Sequence, residues 1–329
     1  MPVEPAERLR EIASAYWLSR SLHVTAELGV ADAVPDRGIE VGLLAELVGA
    51  DASALRRVLF LLAGHGVFAL DEETVRHTPA SRLLREDEPG SLRSMVRMFG
   101  IDLTWAAYGE LASAVRTGAP AIEQVAPEGF FAHLADHPGT ASLFASAMAA
   151  KSRAQIAAVG AAYEFGAFST IADVGGGRGH LLEAVLDRAP GATGLLFDLP
   201  HVVAEAAAAG HDRMDIVGGD FFTDPLPAAD GYLLSQVLHD WGDDEARAIL
   251  TAIRHAAAPG ARLLVIEAIL SASPQPQWAS MLDIHMLVLL TGRERTGAQY
   301  AELLASSGFT LERVIDTTSE VQILEAVAS

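Results

Sequence analysis

The sequence predicts an α/β fold in which a doubly wound, mainly parallel sheet with an antiparallel last strand follows a mostly helical, winged-helix-like region. From residue 168 onward, short apolar strands alternate with amphipathic helices, the order typical of a doubly wound sheet. The last two strands are separated only by "TTSE" (317–320), which is too short for a crossover, so we expect them to pair antiparallel. Two short helices and a hairpin before residue 80 match the pattern of a winged helix.

These patterns divide the chain into three regions. Residues 1–100 form the winged-helix-like region, which begins with a long helix and contains a second helix capped by Asp51. Residues 101–165 form a helical connector, interrupted at "TGAP" and "DHPG". Residues 166–329 form the sheet domain, in which each helix follows a strand.

Composition narrows the classes of function. The 329 residues contain 43 acids and 23 bases, for a net charge of −20, which argues against a nucleic-acid partner. The chain contains no cysteine, which excludes disulfides, thiolate nucleophiles and zinc–sulfur sites. We find neither an apolar signal-peptide core at the start nor an apolar run of membrane-spanning length. We therefore expect a cytoplasmic protein with no membrane and no nucleic-acid partner.

A glycine-rich loop, "DVGGGRGH" (173–180), follows the first strand of the sheet domain and opens a helix. Glycine lets the backbone turn tightly and approach a ligand closely. The spacing is G-x-G-x-G, whereas a dinucleotide fingerprint needs G-x-G-x-x-G, so the loop fits NAD poorly. A tight strand-to-helix turn without a ligand is the alternative interpretation.

Polar residues end the next strands and point to a nucleoside ligand. Asp198 ends the strand "GLLFD", where an acid can accept hydrogen bonds from both hydroxyls of a ribose. Asp220 and Phe221 follow the third strand, and can accept from an exocyclic amine and stack on a purine. The stretch "LSQVLHDWGDDE" (234–245) follows the fourth strand. Parallel strands present these ends at one edge of the sheet, where ligands bind.

The motifs "DVGGGRG", "FDLPHV", "GDFF" and "LHDWGDDE", in this order and spacing, resemble those of a class I S-adenosylmethionine-dependent methyltransferase. The chain is most similar to the caffeic-acid O-methyltransferase-like family, including its bacterial natural-product members. The resemblance implies a Rossmann-like methyltransferase sheet and an N-terminal dimerisation domain that forms a homodimer. It also implies S-adenosylmethionine as methyl donor, S-adenosylhomocysteine as product, no metal, and a small hydroxylated aromatic acceptor.

The resemblance also implies particular cofactor contacts. The glycine loop cradles the methionine part, Asp198 holds the ribose, Asp220 with Phe221 holds the adenine, and Trp241 packs near it. Plant members often carry Lys where Ser235 stands, so a contact from Ser235 is shorter, made by the backbone, or absent. The full set of implied cofactor residues is Asp173, Gly175, Gly177, Asp198, Leu199, Asp220, Phe221, Ser235 and Trp241.

His239 is the candidate general base. A phenol with a pKa of about 10 is ionised in only roughly one molecule in 1,000 at pH 7, so a base beside the hydroxyl accelerates methylation. A histidine that merely packs in the core is the alternative. By resemblance, Glu267 and Glu294 are the acids that orient the imidazole, and we favour Glu267 because a strand tip is rigid. Asp240 either touches the acceptor's neighbouring oxygen or caps a helix.

The implied acceptor pocket combines residues from the connector and from the stretch "DIHMLVLLTGRERT", which we interpret as a loop. This stretch is one residue shorter than in plant members and places His285 where an aliphatic side chain is frequent. The shape of the acceptor pocket therefore cannot be inferred from the family, and His285 is a candidate for a second polar contact to the acceptor. The candidates are Phe144, Met148, His285, Met286 and Leu290, each with core packing as the alternative role.

Three other functions are alternatives to O-methylation. A winged helix suggests a DNA-binding regulator, but its second helix offers only Arg56 and Arg57 as bases. Some relatives bind the same cofactor and catalyse hydroxylation, decarboxylation or pericyclic rearrangement, and N- or C-methylation is a further alternative. The intact "HDW" with both carboxylates favours O-methylation.

Overall fold

The computed structural model describes residues 4–329. Its contacts divide the chain into two compact units. The first unit contains the residues up to 106 together with 131–151, and the second contains 107–130 together with 152–329. The expected connector, 101–165, is thus shared between the two units rather than forming a unit of its own.

Helices account for most of the first unit and surround the sheet of the second. In chain order they are α1 (Pro5–Glu27), α2 (Val30–Ala33), α3 (Val41–Val48), α4 (Ala52–Gly64), α5 (Pro79–Arg82), α6 (Arg93–Phe99), α7 (Asp102–Gly109), α8 (Leu111–Thr117), α9 (Phe130–Asp136), α10 (Pro138–Ala162), α11 (His180–Arg188), α12 (Pro200–Ala209), α13 (Asp243–Ala256), α14 (Trp278–Leu289) and α15 (Gly297–Ser306). Three short 3-10 helices cover Ala121–Gln124, Phe165–Ala167 and Leu238–Asp240.

The strands form a small sheet in the first unit, and a large sheet and a two-stranded ribbon in the second. They are β1 (Ile39–Glu40), β2 (Phe68–Asp71), β3 (Thr74–His77), β4 (Thr170–Val174), β5 (Thr193–Asp198), β6 (Met214–Gly218), β7 (Gly231–Ser235), β8 (Arg262–Glu267), β9 (Ile269–Leu270), β10 (Arg295–Thr296), β11 (Phe309–Asp316) and β12 (Gln322–Ala328).

The first unit has the predicted winged-helix pattern. Asp51 caps α4 by accepting a hydrogen bond of 2.8 Å from the Ala54 N–H, which satisfies one of the helix's unpaired donors. The apolar faces of α3 and α4 close on the antiparallel sheet β1-β3-β2, where Leu59 and Phe68 are buried. The predicted order of helix, turn, helix and hairpin is therefore confirmed.

The large sheet has the order β11-β12-β8-β7-β4-β5-β6. All neighbours are parallel except β12, which pairs antiparallel with both β8 and β11, as predicted. Apolar clusters cover both faces of this sheet. Because β4, β5, β7 and β8 run in the same direction, their carboxyl ends bring Asp173, Asp198, Ser235 and Glu267 to one edge.

The prediction of a loop is wrong for residues 283–289, which belong to α14. Ala279, Leu282 and Met286 recur at helical spacing and pack against Ala268, and the segment contains no glycine or proline that would break the helix. His285 therefore projects from a helix. Among residues 4–329, no helix combines the length and apolar character that a membrane crossing needs.

Candidate active site

The glycine loop between β4 and α11 forms a cradle of backbone. Gly175 and Gly177 have φ angles of 72° and 61°, which side chains rarely allow. A Cβ on Gly175 would lie 2.8 Å from Val237 Cγ2, and one on Gly176 would lie 2.5 Å from Asp173 Cγ. Nothing lies within 4 Å of the equivalent position on Gly177, so the loop is open there. Only glycine suits this turn, which leaves room for a ligand at Gly177.

Asp173 lies beneath this loop and is almost completely buried, with 1% of its surface exposed. Neither of its carboxylate oxygens has a hydrogen-bond partner. Burial, and then the negative charge of Asp198, raise the pKa of Asp173 to about 7. A buried acid without a partner is costly, so this position suits a ligand that carries an amine or a positive charge.

Asp198 connects the second strand tip to the glycine loop. Its Oδ2 accepts from the Gly177 N–H at 2.8 Å, and its Oδ1 accepts from the Leu199 N–H at 2.7 Å. A carboxylate has about four lone-pair sites, so both oxygens can accept a further hydrogen bond. The arrangement suits a ribose diol placed over the loop. Leu199 is 41% exposed beside it.

The residues expected around an adenine also lie together. Phe221 packs edge to face against Trp241, with ring centroids 6.0 Å apart, and lies next to the Gly175 position. Asp220 Oδ1 accepts from the Phe222 N–H at 2.9 Å, which fixes the turn that carries both side chains. Ser235 ends β7 and is half-buried.

His239 lies in the 3-10 helix after β7 and is 6% exposed. Its Nδ1–H donates to Glu294 Oε1 at 2.8 Å, and Glu294 is completely buried. The other ring nitrogen, Nε2, is 3.5 Å from Asp240 Oδ1. A carboxylate on Nδ1 fixes the tautomer and leaves Nε2 as the nitrogen that can take a proton.

The prediction that Glu267 orients His239 is wrong. Glu267 Oε1 accepts from the N–H groups of Val237 and Leu238 at 3.0 and 2.9 Å, and its Oε2 accepts from Gln236 Nε2 at 3.0 Å. The tip of β8 lies where the chain turns sharply after β7, at Gln236 with a φ of 55°. Its carboxylate therefore satisfies the backbone donors of that turn, and Glu294 orients the imidazole.

The carboxylates around His239 change the pKa of its imidazole. Burial lowers the pKa of His239, but Glu267, Glu294 and Asp240 outweigh burial and raise the pKa to about 9. Burial raises the pKa of Glu267 to about 7. One ligand atom from each of His239, Glu267 and Glu294 lies within 4.8 Å of the others, a spacing that a metal ion would also accept. Hydrogen bonds already occupy both oxygens of Glu267. We therefore interpret these three residues as a proton-transfer group and not as a metal site.

Arg295 holds the His239 turn in place, a role that the sequence did not reveal. It is 1% exposed, and its guanidinium donates to Leu238 O, Trp241 O and Asp243 Oδ1 at 2.8, 2.9 and 2.9 Å. These acceptors lie on both sides of His239 in the chain. The only available signal was the charged "GRER" stretch, which is equally typical of an exposed loop.

Gly292 completes this clamp. A Cβ at Gly292 would lie 1.9 Å from His239 O, and the neighbouring Arg293 N–H donates to that oxygen at 2.9 Å. The Glu294 N–H donates to Asp283 Oδ1 of α14 at 2.9 Å, which fixes the acid that orients the histidine. The chain after α14 therefore sets the position of the turn that carries His239 through backbone contacts.

The predicted acceptor residues fall in both units. Phe144 and Met148 lie on α10 within the first unit and are half-buried. Met286 is 6% exposed and packs in the cluster on α14, against which Leu290 also packs, so core packing accounts for both. His285 Nδ1 lies 3.1 Å from Tyr108 OH, and the two rings stack.

Comparison with known proteins identifies the family. A family model of the O-methyltransferase domain matches residues 108–310, and a model of the O-methyltransferase dimerisation domain matches residues 10–87. The chain is 40% identical, over 97% of its length, to phenazine O-methyltransferase PhzM of Lysobacter antibioticus, of which 95% is covered. It is 36% identical, over 93% of its length, to 8-amino-8-demethylriboflavin N,N-dimethyltransferase of Streptomyces davaonensis, of which 90% is covered. The structure of CalO1, a methyltransferase in calicheamicin biosynthesis with S-adenosylhomocysteine bound, matches with a TM-score of 0.89, 33% identity and 100% coverage of both chains.

The Rossmann-like sheet with a glycine cradle and acidic strand tips defines an S-adenosylmethionine-dependent methyltransferase. The chain belongs to the O-methyltransferase family, in its caffeic-acid O-methyltransferase-like branch of natural-product enzymes, and carries that family's dimerisation domain. Its methyl donor is S-adenosylmethionine. The relatives include both O- and N-methyltransferases.

Proposed function

We propose that this enzyme transfers the methyl group of S-adenosylmethionine to a phenolic hydroxyl of a small aromatic natural product, with His239 as the general base. The observation that supports this most directly is the buried pair in which Glu294 fixes Nδ1 of His239 at 2.8 Å. A hydroxyl acceptor must lose its proton, and an oriented imidazole is the group best suited to take it near neutral pH.

The acids around His239 support this role. When Nε2 takes the proton of the hydroxyl, the ring becomes an imidazolium, and Glu267, Glu294 and Asp240 stabilise its charge. The same acids hold the ring protonated in the free enzyme at pH 7, because its pKa is about 9. S-adenosylmethionine, when bound, would supply an electrophilic methyl group on a sulfonium, whose positive charge would lower the pKa of an imidazolium beside it. His239 in its neutral form would then accept the proton.

We assign the cofactor contacts to the residues that form the cradle. Asp173, with two unpartnered buried oxygens, suits the methionine ammonium. Asp198 suits the ribose hydroxyls, and Asp220 with Phe221 and Trp241 suits the adenine. Gly175 and Gly177 keep the backbone open for the ligand.

We further propose that the enzyme works as a cytoplasmic homodimer. The matched dimerisation domain begins at residue 10, within α1, a helix whose side chains Leu9, Ile12, Tyr16 and Trp17 are each more than half exposed. An exposed apolar stripe of this size is typical of a protein interface. Light scattering at micromolar concentration distinguishes the proposed dimer from a monomer, which would contradict this part of the proposal.

The chemical test uses matched acceptors. Phenol and aniline pairs of the same ring system, such as 1-naphthol and 1-naphthylamine, are incubated with enzyme and S-adenosylmethionine, and products are weighed by mass spectrometry. The proposal predicts a gain of one methyl group on the hydroxyl members and dependence of that gain on His239. Methylation of the amines alone, or conversion of the acceptor to a product that carries no added methyl group, would contradict the proposal.

A further inference from the structure

A cavity of about 390 Å³ lies within the first unit, and none of the residues assigned so far lines it. Its walls come from α1, α6, the start of α7, the end of α9 and the start of α10. Arg20, His23, Arg97 and Gly100 line it, together with apolar side chains that include Ile101 and Leu143. All of these residues belong to one compact unit.

His23 is a buried polar group that lacks a partner in this wall. It is 8% exposed, and its Nδ1 has no hydrogen bond. Gly100 packs directly against the ring, since a Cβ there would lie 2.6 Å from His23 Cβ. Trp105 lies behind this ring, 6.0 Å from His23 between ring centroids. Unsatisfied buried polar groups are costly and rare, so the His23 Nδ1 in the cavity wall points to a ligand that supplies an acceptor oxygen.

The arginines that line the cavity are more buried than the acids. Arg20 is half-buried, donates to Gly100 O at 2.6 Å and places its guanidinium 5.6 Å from the Trp105 ring centre. Arg97 is also half-buried. Glu27 and Asp102 line the same cavity but are exposed at its rim. The two arginines therefore make the inner wall positively charged, and the two acids at the rim bring the net charge of these four residues to zero.

Burial, and then the charge of Arg20, lower the pKa of His23. His23 is therefore neutral at pH 7 and can donate a single hydrogen bond from Nδ1–H without adding charge. A guanidinium has five donors in a planar fork that matches a carboxylate, and one donor of Arg20 is used by Gly100. The two arginines offer donors for a single carboxylate, and the two acids at the rim disfavour a dianion such as a phosphate monoester.

We propose that this cavity binds an aromatic carboxylate, with the carboxylate held by Arg20, Arg97 and His23 and the ring packed against Ile101, Leu103 and Leu143. The ligand is an aromatic acid bound within the first unit, and no residue assigned to methyl transfer lines the cavity.

Binding is measured by calorimetry with S-adenosylhomocysteine present, so that no methyl transfer is needed. The probes are 1-hydroxy-2-naphthoate and its neutral amide, which differ in charge and little in shape. The account predicts that the acid binds at least about tenfold more tightly than the amide, as expected for a charge-assisted pair. Arg20→Gln and Arg97→Gln should each reduce this ratio to near one, while Arg57→Gln, an exposed arginine outside the cavity, should leave it unchanged.

The acid-to-amide ratio within one variant does not depend on how much of that variant is folded, so a partly unfolded Arg20→Gln does not obscure the result. No binding of the acid at millimolar concentration, equal affinity for acid and amide, or an unchanged ratio in both arginine variants would each overturn the inference. The binding assay involves no methyl transfer, so its outcome is independent of the test of the proposed O-methylation.

Discussion

Glu294 accepts a hydrogen bond from His239 Nδ1 at 2.8 Å, although the two residues are 55 positions apart in the chain. Asp283 holds the Glu294 N–H, and the chain after α14 brings the carboxylate to the ring. This pair leaves Nε2 as the nitrogen of His239 that can take a proton, and it contributes to the pKa of about 9.

Glu294→Gln keeps the hydrogen-bond acceptor but removes the charge. Because Glu294 raises the pKa of His239, the rise of kcat/KM with pH, expected near pH 9 for the free wild-type enzyme, should move to lower pH by about 1 unit. The value of kcat should fall about tenfold, since the imidazolium formed in the reaction loses a counter-charge. Rate profiles over pH 6–10 measure both effects. Glu312→Gln, on the exposed side of β11, is the matched control, and an unshifted profile in Glu294→Gln would contradict the assignment.

Arg295→Met should loosen the catalytic turn. It removes the donor from Trp241 O, leaves Leu238 O with only the longer bond from the Trp241 N–H, and leaves Asp243 with only the 3.9 Å ion pair to Arg293. We expect a cost of about 2–4 kcal/mol in unfolding free energy. We expect kcat to fall more than tenfold even at temperatures where the variant is folded. Denaturant unfolding and steady-state rates provide the two measurements, with the exposed Arg116→Met as control. Wild-type kcat in folded Arg295→Met would show that the clamp does not position His239.

Gly292→Ala tests the same clamp from the backbone side. The new Cβ would lie 1.9 Å from His239 O, so the His239–Asp240 peptide must move. We expect kcat to fall about tenfold or more, because small displacements of a catalytic group are costly, while cofactor affinity measured by calorimetry stays near wild type. Gly191→Ala, where nothing lies within 4 Å of the new Cβ, should change neither. Equal behaviour of the two alanine variants would refute this role for Gly292.

Asp173→Asn should stabilise the unliganded protein and weaken cofactor binding. The pKa of Asp173 is raised from 3.8 to about 7 in the folded state, so its contribution to stability is full below about pH 3.8 and is lost as the pH rises through 7. The ionised acid then costs on the order of 4 kcal/mol, which Asn avoids. Melting temperatures should favour Asn by about 5 °C or more at pH 8 and by less at pH 5.

The matched control for this prediction is Asp215→Asn, an exposed residue of β6. Calorimetry should show weaker S-adenosylmethionine binding for Asp173→Asn and unchanged binding for Asp215→Asn. A stability advantage that does not grow between pH 5 and pH 8 would show that Asp173 is not a strained buried acid.

Much of the site was predictable because parallel strands end at one edge. The positions of Asp173, Asp198 and Ser235 follow from the strand pattern alone, and the glycine loop follows from its spacing. Choosing between Glu267 and Glu294 required the path of the chain around α14, which local sequence does not determine. Both residues are acids near a strand, and only the fold shows that Glu267 is occupied by the backbone of the turn.

Buried charge was the other gap. Arg295 is 1% exposed, yet charged residues are mostly on surfaces, so a sequence offers no reason to place it inside. Three of the oxygens that accept from Arg295 are more than 50 positions away, which no periodicity reveals. Helix α14 was missed for a related reason, because its apolar run was interpreted through the resemblance rather than through its own helical spacing.

The central claim is that His239 removes a proton from an acceptor hydroxyl, and the rate of His239→Ala as a function of pH tests it most directly. We expect kcat to fall by about 10²–10⁴ at pH 7, the range typical of a general base, with cofactor affinity nearly unchanged. The lost rate should return in part as pH rises toward 10, because solvent then ionises the phenol, and the product should weigh one methyl group more than the acceptor. A His239→Ala rate within a few-fold of wild type across pH 6–10, or a product without an added methyl group, would contradict the account.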